Sequence, residues 1–147
     1  MSLPERKWLY HGRPSWVDGE DPIFLTFCGK PRGLNQFAHP DRWQSVSAAA
    51  DHLSGMHLCV PLLLLAMPDH LHMIVMIPSR LPIATFVARF KRAAGYGLDI
   101  HWQRGAFDHR IRNDDSYREK WAYVIANPLR AGLVSSAELW PYVKRWP

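Results

Sequence analysis

Two histidines separated by one residue stand inside an otherwise apolar run, "MPDHLHMIV", at residues 67–75. If this run is a β-strand, His70 and His72 lie on one face, because successive strand residues alternate between the two faces. In a helix the same side chains would lie about 200° apart and could not converge. Two imidazoles on one strand face can bind a cation if a third ligand comes from another element. By itself the spacing is weak evidence, because in a chain with eight histidines a hydrogen-bonded structural pair is the more common explanation.

A tyrosine and an asparagine share one side of a predicted helix later in the chain. The segment "NDDSYREKWAYVIANP" begins with capping residues and is predicted to end at Asn127-Pro128. Because Tyr123 and Asn127 are four residues apart, their side chains point together. Most tyrosines on helices only pack or lie at a surface, so this one gains interest only in combination with the histidines. The two side chains point away from the apolar stripe, which consists of Tyr117, Trp121, Val124 and Ile125.

The strand that carries the histidines requires a partner, and the preceding segment "HLCVPLLLLAM" is the candidate. A run of leucines fits a helix as readily as a buried strand. Pro61 and the Pro68-Asp69 turn favour a strand, so that the two segments form a hairpin. An earlier strand is predicted at "IFLTF" and a further one near residues 106–111.

Helices are predicted between these strands. Asp41 as an N-cap and Gly55 as a stop indicate a helix over about residues 42–53. Pro82 at the first helical position and Gly95 after the end indicate another over residues 82–94. The order of elements predicts an α+β fold, a ferredoxin-like antiparallel sheet covered by helices.

The composition is that of one compact domain. The chain has 147 residues, 48% of them hydrophobic, which favours a single domain over residues 1–147 with an N-terminal tail over residues 1–18. The longest apolar stretch contains Pro61 and is about half as long as a bilayer span, so we expect no membrane segment. The N-terminus lacks the apolar core of a secretory signal. The two cysteines form no CxxC pair, so a reducing, cytoplasmic setting is expected.

The formal net charge is +5, and the whole excess lies in residues 81–147, since residues 1–80 are balanced. Such a local excess is compatible with a polyanionic partner, although many basic proteins bind no nucleic acid.

Three segments in order resemble the signatures of single-tyrosine HUH transposases, most closely the REP-associated tyrosine transposases. They are "MPDHLHMIV", "WQRGAFDHRIR" and "YVIANPLRAGLV". The likeness also includes Gly19 and "IFLTF", so it covers roughly residues 19–143. The residue before the first histidine, often Asn in that family, is Asp69 here.

The resemblance implies a role for each of the four residues. It makes Tyr123 the nucleophile that cuts a phosphodiester in single-stranded or hairpin DNA, and His70, His72 and Asn127 the ligands of Mg²⁺ or Mn²⁺. A phosphotyrosine would conserve the bond energy for rejoining by a free 3′-hydroxyl. A free phenol is protonated at neutral pH, and the sequence does not identify the base that assists it.

The resemblance also gives the basic second half a role in DNA binding. Arg89, Lys91, Arg92, Arg110 and Arg112 are the candidate phosphate contacts, while Trp102 could stack an unpaired base. Gln103 and His109 belong to the middle signature and are expected near the DNA. Ordinary surface charges and core aromatics are the alternative for this whole group.

Two other functions remain open at this point. A former transposase of the same fold could bind hairpin DNA or RNA without cutting it. A zinc-dependent hydrolase is third, but only Asp69 could serve it as an acidic base beside the histidines, and Asp69 resembles a turn residue. Both a monomer and a homodimer fit the sequence.

Overall fold

The computed structural model describes residues 14–17 and 20–147. Within this range there are five strands and three α-helices. They are β1 (Ile23–Cys28), α1 (Pro40–Gly55), β2 (Val60–Ala66), β3 (His70–Met76), α2 (Ile83–Ala94), β4 (Phe107–Arg110), α3 (Asp114–Arg130) and β5 (Val143–Arg145), with 3₁₀ turns at Ser15–Val17 and Ala137–Leu139.

The five strands form one antiparallel sheet in the order β4-β1-β3-β2-β5. The first six elements run strand, helix, strand, strand, helix, strand, and their four strands have the order 4-1-3-2. This is the ferredoxin-like arrangement, so the predicted fold class is confirmed. Helix α3 and the short edge strand β5 are additions at the C-terminal side.

The helices divide between the two faces of the sheet. Residues of α1 and α2 share one apolar cluster with Leu71, Met73 and Val75 of β3. Residues of α3 share the other cluster with Ile74 and Met76 of the same strand. Because His72 alternates with Met73, it lies on the face that α3 covers.

A β-bulge in β2 fits this strand to both layers. The register between β2 and β3 shifts between Pro61 and Leu63. Pro61 has no N–H for the ladder, and proline is found in sheets mainly at such irregular positions or at edges. The shift lets Leu62 and Leu63 both contribute to the cluster under α3, while Leu64 faces α1 and α2. The segment is therefore a strand, as predicted.

The ends of the first two helices differ from the prediction. Helix α1 begins at Pro40 after His39, so Asp41 lies in the first turn and is not the N-cap. Gly55 is still helical, and the reversal occurs at His57, whose φ of 57° is left-handed. The amides of residues 57 and 58 bond back to the carbonyls of residues 54 and 53, which is a Schellman motif without glycine. In α2, Pro82 is the N-cap and Gly95 the C-cap.

Helix α3 continues beyond the predicted end at Asn127-Pro128 and stops at Arg130. Asn113 caps it by accepting a hydrogen bond from the Ser116 amide at 2.8 Å. Pro128 lies inside the last turn, where its missing N–H removes a single helical bond. The amide of Ala131 still bonds to the Asn127 carbonyl at 2.9 Å, so the helix ends only at Arg130. Strand β5 was not predicted, because three residues give too short a pattern.

The predicted N-terminal tail and Gly19 lie largely outside the described residues. Within the part that is described, Val17 is fully buried in the cluster under α3, and Trp16 stacks on His57 with ring centroids 5.0 Å apart. No helix among the described residues is both long and apolar enough to cross a bilayer.

We expect Ile74→Ala to destabilise the protein by about 2 to 5 kcal/mol, because it leaves a cavity between the sheet and α3. Ile74 is fully buried in that cluster. Urea unfolding measures the change. Leu139→Ala is the control, since Leu139 is exposed and such changes cost roughly 0.5 kcal/mol or less. Equal stability of the two variants would contradict this packing.

Candidate functional site

A cleft of about 430 Å³ opens where α3 crosses strands β1 and β3. It brings together side chains from strands β1, β3 and β4, from helix α3, from the turn before β3 and from the loop after β1. Those relevant to chemistry are Thr26, Asp69, His70, His72, Lys120, Tyr123 and Asn127, with Phe24, Cys28, Arg32 and Phe107 as further walls.

His72 lies at the base of this cleft and is held on both ring nitrogens. The Asn127 amide nitrogen is 2.7 Å from Nε2, and Thr26 Oγ1 is 3.1 Å from Nδ1. An amide N–H can only donate, so Nε2 is the acceptor. In the neutral ring Nδ1 then carries the proton, and this N–H donates a hydrogen bond to Thr26 Oγ1. These bonds connect β1, β3 and α3 through one imidazole.

The surroundings of His72 keep its ring uncharged. The side chain is almost completely buried, with 4% of its surface exposed. Burial lowers the pKa of His72 to about 3, and the nearby charges of His70 and Lys120 act in the same direction. A neutral imidazole with a lone pair on Nε2 is the form that can accept a hydrogen bond or bind a metal.

His70 lies beside His72 with the ring centroids 4.7 Å apart, so the predicted convergence on one strand face is correct. Its Nδ1 is 2.7 Å from Asp69 Oδ1, and the other carboxylate oxygen accepts a 2.8 Å bond from the Gly33 amide. Burial raises the pKa of Asp69, but the hydrogen bonds from His70 and Gly33 outweigh it and hold the pKa below its ordinary value. Asp69 therefore orients His70, whose Nε2 remains available.

Tyr123 lies above the histidines on α3. Its ring centroid is 5.8 Å from that of His72 and 6.3 Å from that of Phe24, both in edge-on contact. The side chain is 41% exposed. The predicted partition of the helix is also correct, since Tyr117 and Val124 are buried on its other side.

The donor atoms at the base of the cleft are two imidazole nitrogens and one carboxamide. Rotation of the Asn127 amide about its terminal bond would exchange the N–H group for the oxygen. His70, His72 and Asn127 could then offer two nitrogens and one oxygen to a divalent cation of mixed ligand preference. Among the described residues no cluster of three His, Cys, Asp or Glu side chains is arranged for a metal.

Two cations beside Tyr123 were not predicted. The Arg130 guanidinium carbon lies 4.7 Å from the Tyr123 ring centroid, and Lys120 Nζ lies 5.9 Å from it and 5.1 Å from the Phe24 ring. The signal was present in the sequence: residues 120, 123, 127 and 130 follow the three- and four-residue spacing of one helix face.

Arg89 and Arg92, predicted to contact DNA, lie away from this cleft. They line a groove of about 480 Å³ between α1 and α2, on the opposite layer of the sheet, together with His52 and Tyr96. The two openings are similar in volume, so volume does not identify the site. Of the two, the cleft under α3 is the one that holds His70, His72 and Tyr123.

Trp102 and Gln103 lie in the loop before β4, and Lys91 of α2 bonds to that loop. Lys91 Nζ donates to the carbonyls of Gln103 at 2.8 Å and Gly105 at 2.5 Å, so its charge is used within the protein. Trp102 is partly buried against Phe37, with ring centroids 5.2 Å apart. The backbone N–H of Gln103 donates a hydrogen bond to the Cys28 carbonyl at 2.8 Å.

The remaining predicted DNA contacts surround β4. His109 is exposed and pairs with Phe24 in the sheet, so it lies on the face of the cleft. Arg110 pairs with Ile23 and forms an ion pair with Glu20 at 3.2 Å. Arg112 is exposed just before α3.

The sequence is similar to known proteins over about half of its length, while no protein-family model matches it. It is 30% identical over 81 residues to the REP-associated tyrosine transposase of Escherichia coli K12, covering 52% of this chain and 48% of that protein. It is 27% identical over 93 residues to a predicted REP-associated tyrosine transposase of Haemophilus influenzae, covering 52% and 53%. The chain thus spans about half the length of the curated relatives it matches.

The fold extends the likeness to nearly the whole chain. The structure of a REP-associated tyrosine transposase bound to a REP hairpin superposes with a TM-score of 0.74 at 22% identity, over 92% of this chain and 82% of that one. The resemblance to the REP-associated tyrosine transposases is confirmed. A predicted transposase from Deinococcus radiodurans is more distant, with a TM-score of 0.55 at 14% identity over 86% and 97% of the chains.

Asp69 is the departure from the REP-associated transposase motif noted in the sequence. In the structure it is the residue that fixes the His70 ring, through a bond to Nδ1. Its second bond, to the Gly33 amide, attaches the loop after β1 to the hairpin turn. The Asp69 carboxylate therefore orients a histidine of the site and also stabilises the turn between β2 and β3.

We expect Thr26→Val to destabilise the fold by about 1 to 3 kcal/mol, although valine has nearly the same shape. The substitution leaves the buried His72 Nδ1 proton without its acceptor. Urea unfolding measures the loss, and Thr26→Ser, which keeps the hydroxyl, should recover most of it. Equal stability of Thr26→Val and the parent protein would contradict this hydrogen bond.

Proposed function

We propose that this protein cleaves and rejoins single-stranded or hairpin DNA through a covalent bond to Tyr123, as a transposase does. The observation that carries the proposal is the convergence of Tyr123, His70, His72 and Asn127 in one open cleft. The names of the similar proteins support it, since both curated relatives are called REP-associated tyrosine transposases.

The reaction is a transfer of a phosphoryl group to the phenol. The Tyr123 oxygen forms a bond to the phosphorus of the scissile phosphodiester and loses its proton. The bond from phosphorus to the 3′ oxygen breaks, and that oxygen leaves as a hydroxyl after gaining a proton. The reverse attack by a 3′-hydroxyl restores a phosphodiester and frees Tyr123, so neither water nor a nucleotide cofactor is consumed.

The surroundings of Tyr123 favour the charges that develop in this step. The Lys120 ammonium and the Arg130 guanidinium lie over the Tyr123 ring, 5.9 and 4.7 Å from its centroid. Both place positive charge beside the phenol that the phosphate must approach. Such cations attract the DNA backbone and stabilise negative charge on the phenol and the phosphorane oxygens. Phe24 contacts both Tyr123 and His72 and limits the orientations of the two rings.

Mg²⁺ or Mn²⁺ on His70, His72 and Asn127 would supply charge neutralisation at the scissile phosphate. Thr26 and Asp69 prepare the two histidines, because each takes up the Nδ1 position and leaves Nε2 toward the cleft. Outer partners of this kind commonly determine how well histidine binds a metal. Asp69 is engaged by two hydrogen bonds, which disfavours it as the free base of a zinc hydrolase.

Hairpin DNA is the substrate that we propose. Support comes from the REP-associated transposase of similar fold, which was solved bound to a REP hairpin. The alternative is a module that binds hairpins without cutting them. It would form no covalent adduct with the DNA, whereas the proposed reaction does.

We expect Tyr123→Phe to fold and to bind hairpin DNA nearly as the parent does, but to form no adduct that survives denaturation. The variant removes only the attacking oxygen. The assay incubates labelled hairpin DNA with Mn²⁺ and resolves the products on a denaturing gel. Tyr117→Phe is the matched control and should still form the adduct, because Tyr117 is buried on the other side of α3. An adduct that mass spectrometry places on another residue would refute the assignment, and no adduct with the parent would favour the binding module.

We expect His70→Ala to abolish the adduct while retaining most of the DNA affinity, since backbone phosphate contacts remain. EDTA should have the same effect on the parent. His101→Ala is the control, because His101 is exposed outside the cleft and should leave cleavage unchanged. Undiminished cleavage by His70→Ala, or in EDTA, would remove the metal from the proposed reaction.

A further inference from the structure

A second exposed aromatic ring stands across the cleft from Tyr123. Phe107, the first residue of β4, is 63% exposed and pairs in register with Thr26. Its side chain therefore lies on the same sheet face as His72, and it lines the same cleft. A phenylalanine this exposed contributes little to the core.

The cleft continues past Phe107 into a hollow of about 120 Å³. Thr26, Cys28 and Phe107 line both the cleft and the hollow. The far side of the hollow is the loop 103–106, which includes the exposed Arg104. The hollow thus extends the site at the sheet edge, along one side of the position proposed for the scissile phosphate.

The loop that forms this hollow is held in place by hydrogen bonds. Lys91 bonds to the carbonyls of Gln103 and Gly105, and the Gln103 amide bonds to Cys28. Gly105 adopts a φ of 72°, which a residue with a side chain rarely adopts. A fixed loop with an exposed ring beside it is a preorganised surface, and such surfaces bind ligands with a smaller loss of entropy.

We propose that Phe107 stacks an unpaired base next to the phosphodiester held at Tyr123, with Arg104 at the adjoining backbone phosphate. The inference rests on the proposed function and names a nucleotide subsite for it. Inside a duplex each base face is covered by its neighbours, whereas an unpaired base beside the stem leaves a face open for the ring. Binding through the π-face tolerates any base, and arginine supplies the charge that tracks the backbone.

The test compares two DNA hairpins with the same stem, one with unpaired flanking nucleotides and one without. Affinities are measured by fluorescence anisotropy in the Tyr123→Phe background, so that cleavage does not interfere. Phe107→Ala should weaken binding of the flanked hairpin by roughly 5- to 150-fold, the range that loss of one stacked base gives. It should leave the blunt hairpin unchanged, and Phe107→Trp should retain the preference for the flank.

Tyr96→Ala is the matched control, because Tyr96 is an 84% exposed aromatic on the opposite layer. It should alter neither affinity. Stacking can also be observed directly, as quenching of 2-aminopurine in the flank that is lost in Phe107→Ala. An unchanged affinity of Phe107→Ala for the flanked hairpin, or an equal loss for both hairpins, would overturn the subsite. Absence of a covalent adduct with the parent would refute the proposed cleavage alone, since these binding measurements do not depend on it.

Discussion

The hydrogen bonds of His72 fix the position of α3 on the sheet. One imidazole joins Thr26 of β1 to Asn127 of α3, and it does so at a buried position of β3. Leaving either ring nitrogen unpaired there would cost about 1 to 3 kcal/mol, so the rotation and height of α3 are constrained by this contact as well as by apolar packing. Because Tyr123 is one turn before Asn127, the same contact determines where the phenol lies.

Apolar packing alone would not produce this arrangement. Tyr117 and Val124 anchor α3 over Ile74 and Met76, and this cluster would accept small rotations of the helix. The hydrogen bond from Asn127 to His72, near the C-terminal end of α3, removes that freedom. The result is a helix with its core side closed and its other side open, where Tyr123 meets Lys120 and Arg130.

Local patterns in the sequence predicted the elements and the central part of the site. The strand period placed His70 and His72 together, and the helix period placed Tyr123 with Asn127 away from the apolar stripe. The end of α3 was predicted too early, because it depends on packing with residues distant in sequence. Helix α3 passes through Pro128, which is buried, and the amides of residues 131 and 133 bond to the carbonyls of residues 127 and 128 where the helix ends. The N-cap of α1 at His39 in place of Asp41 is a separate case, a local displacement of two residues along the chain.

The distribution of positive charge shows most clearly why a count along the chain does not identify a binding surface. Residues 81–147, which carry the excess positive charge, form helices on both faces of the sheet. Arg110 is neutralised by Glu20, Lys91 donates to loop carbonyls, and Arg89 and Arg92 line the groove between α1 and α2. Of the cations that line the cleft, Lys120 is placed by its position on α3 and Arg32 by the loop after β1. Electrostatic attraction of a phosphate to Tyr123 therefore depends on a few correctly placed charges, and the formal net charge measures a different property.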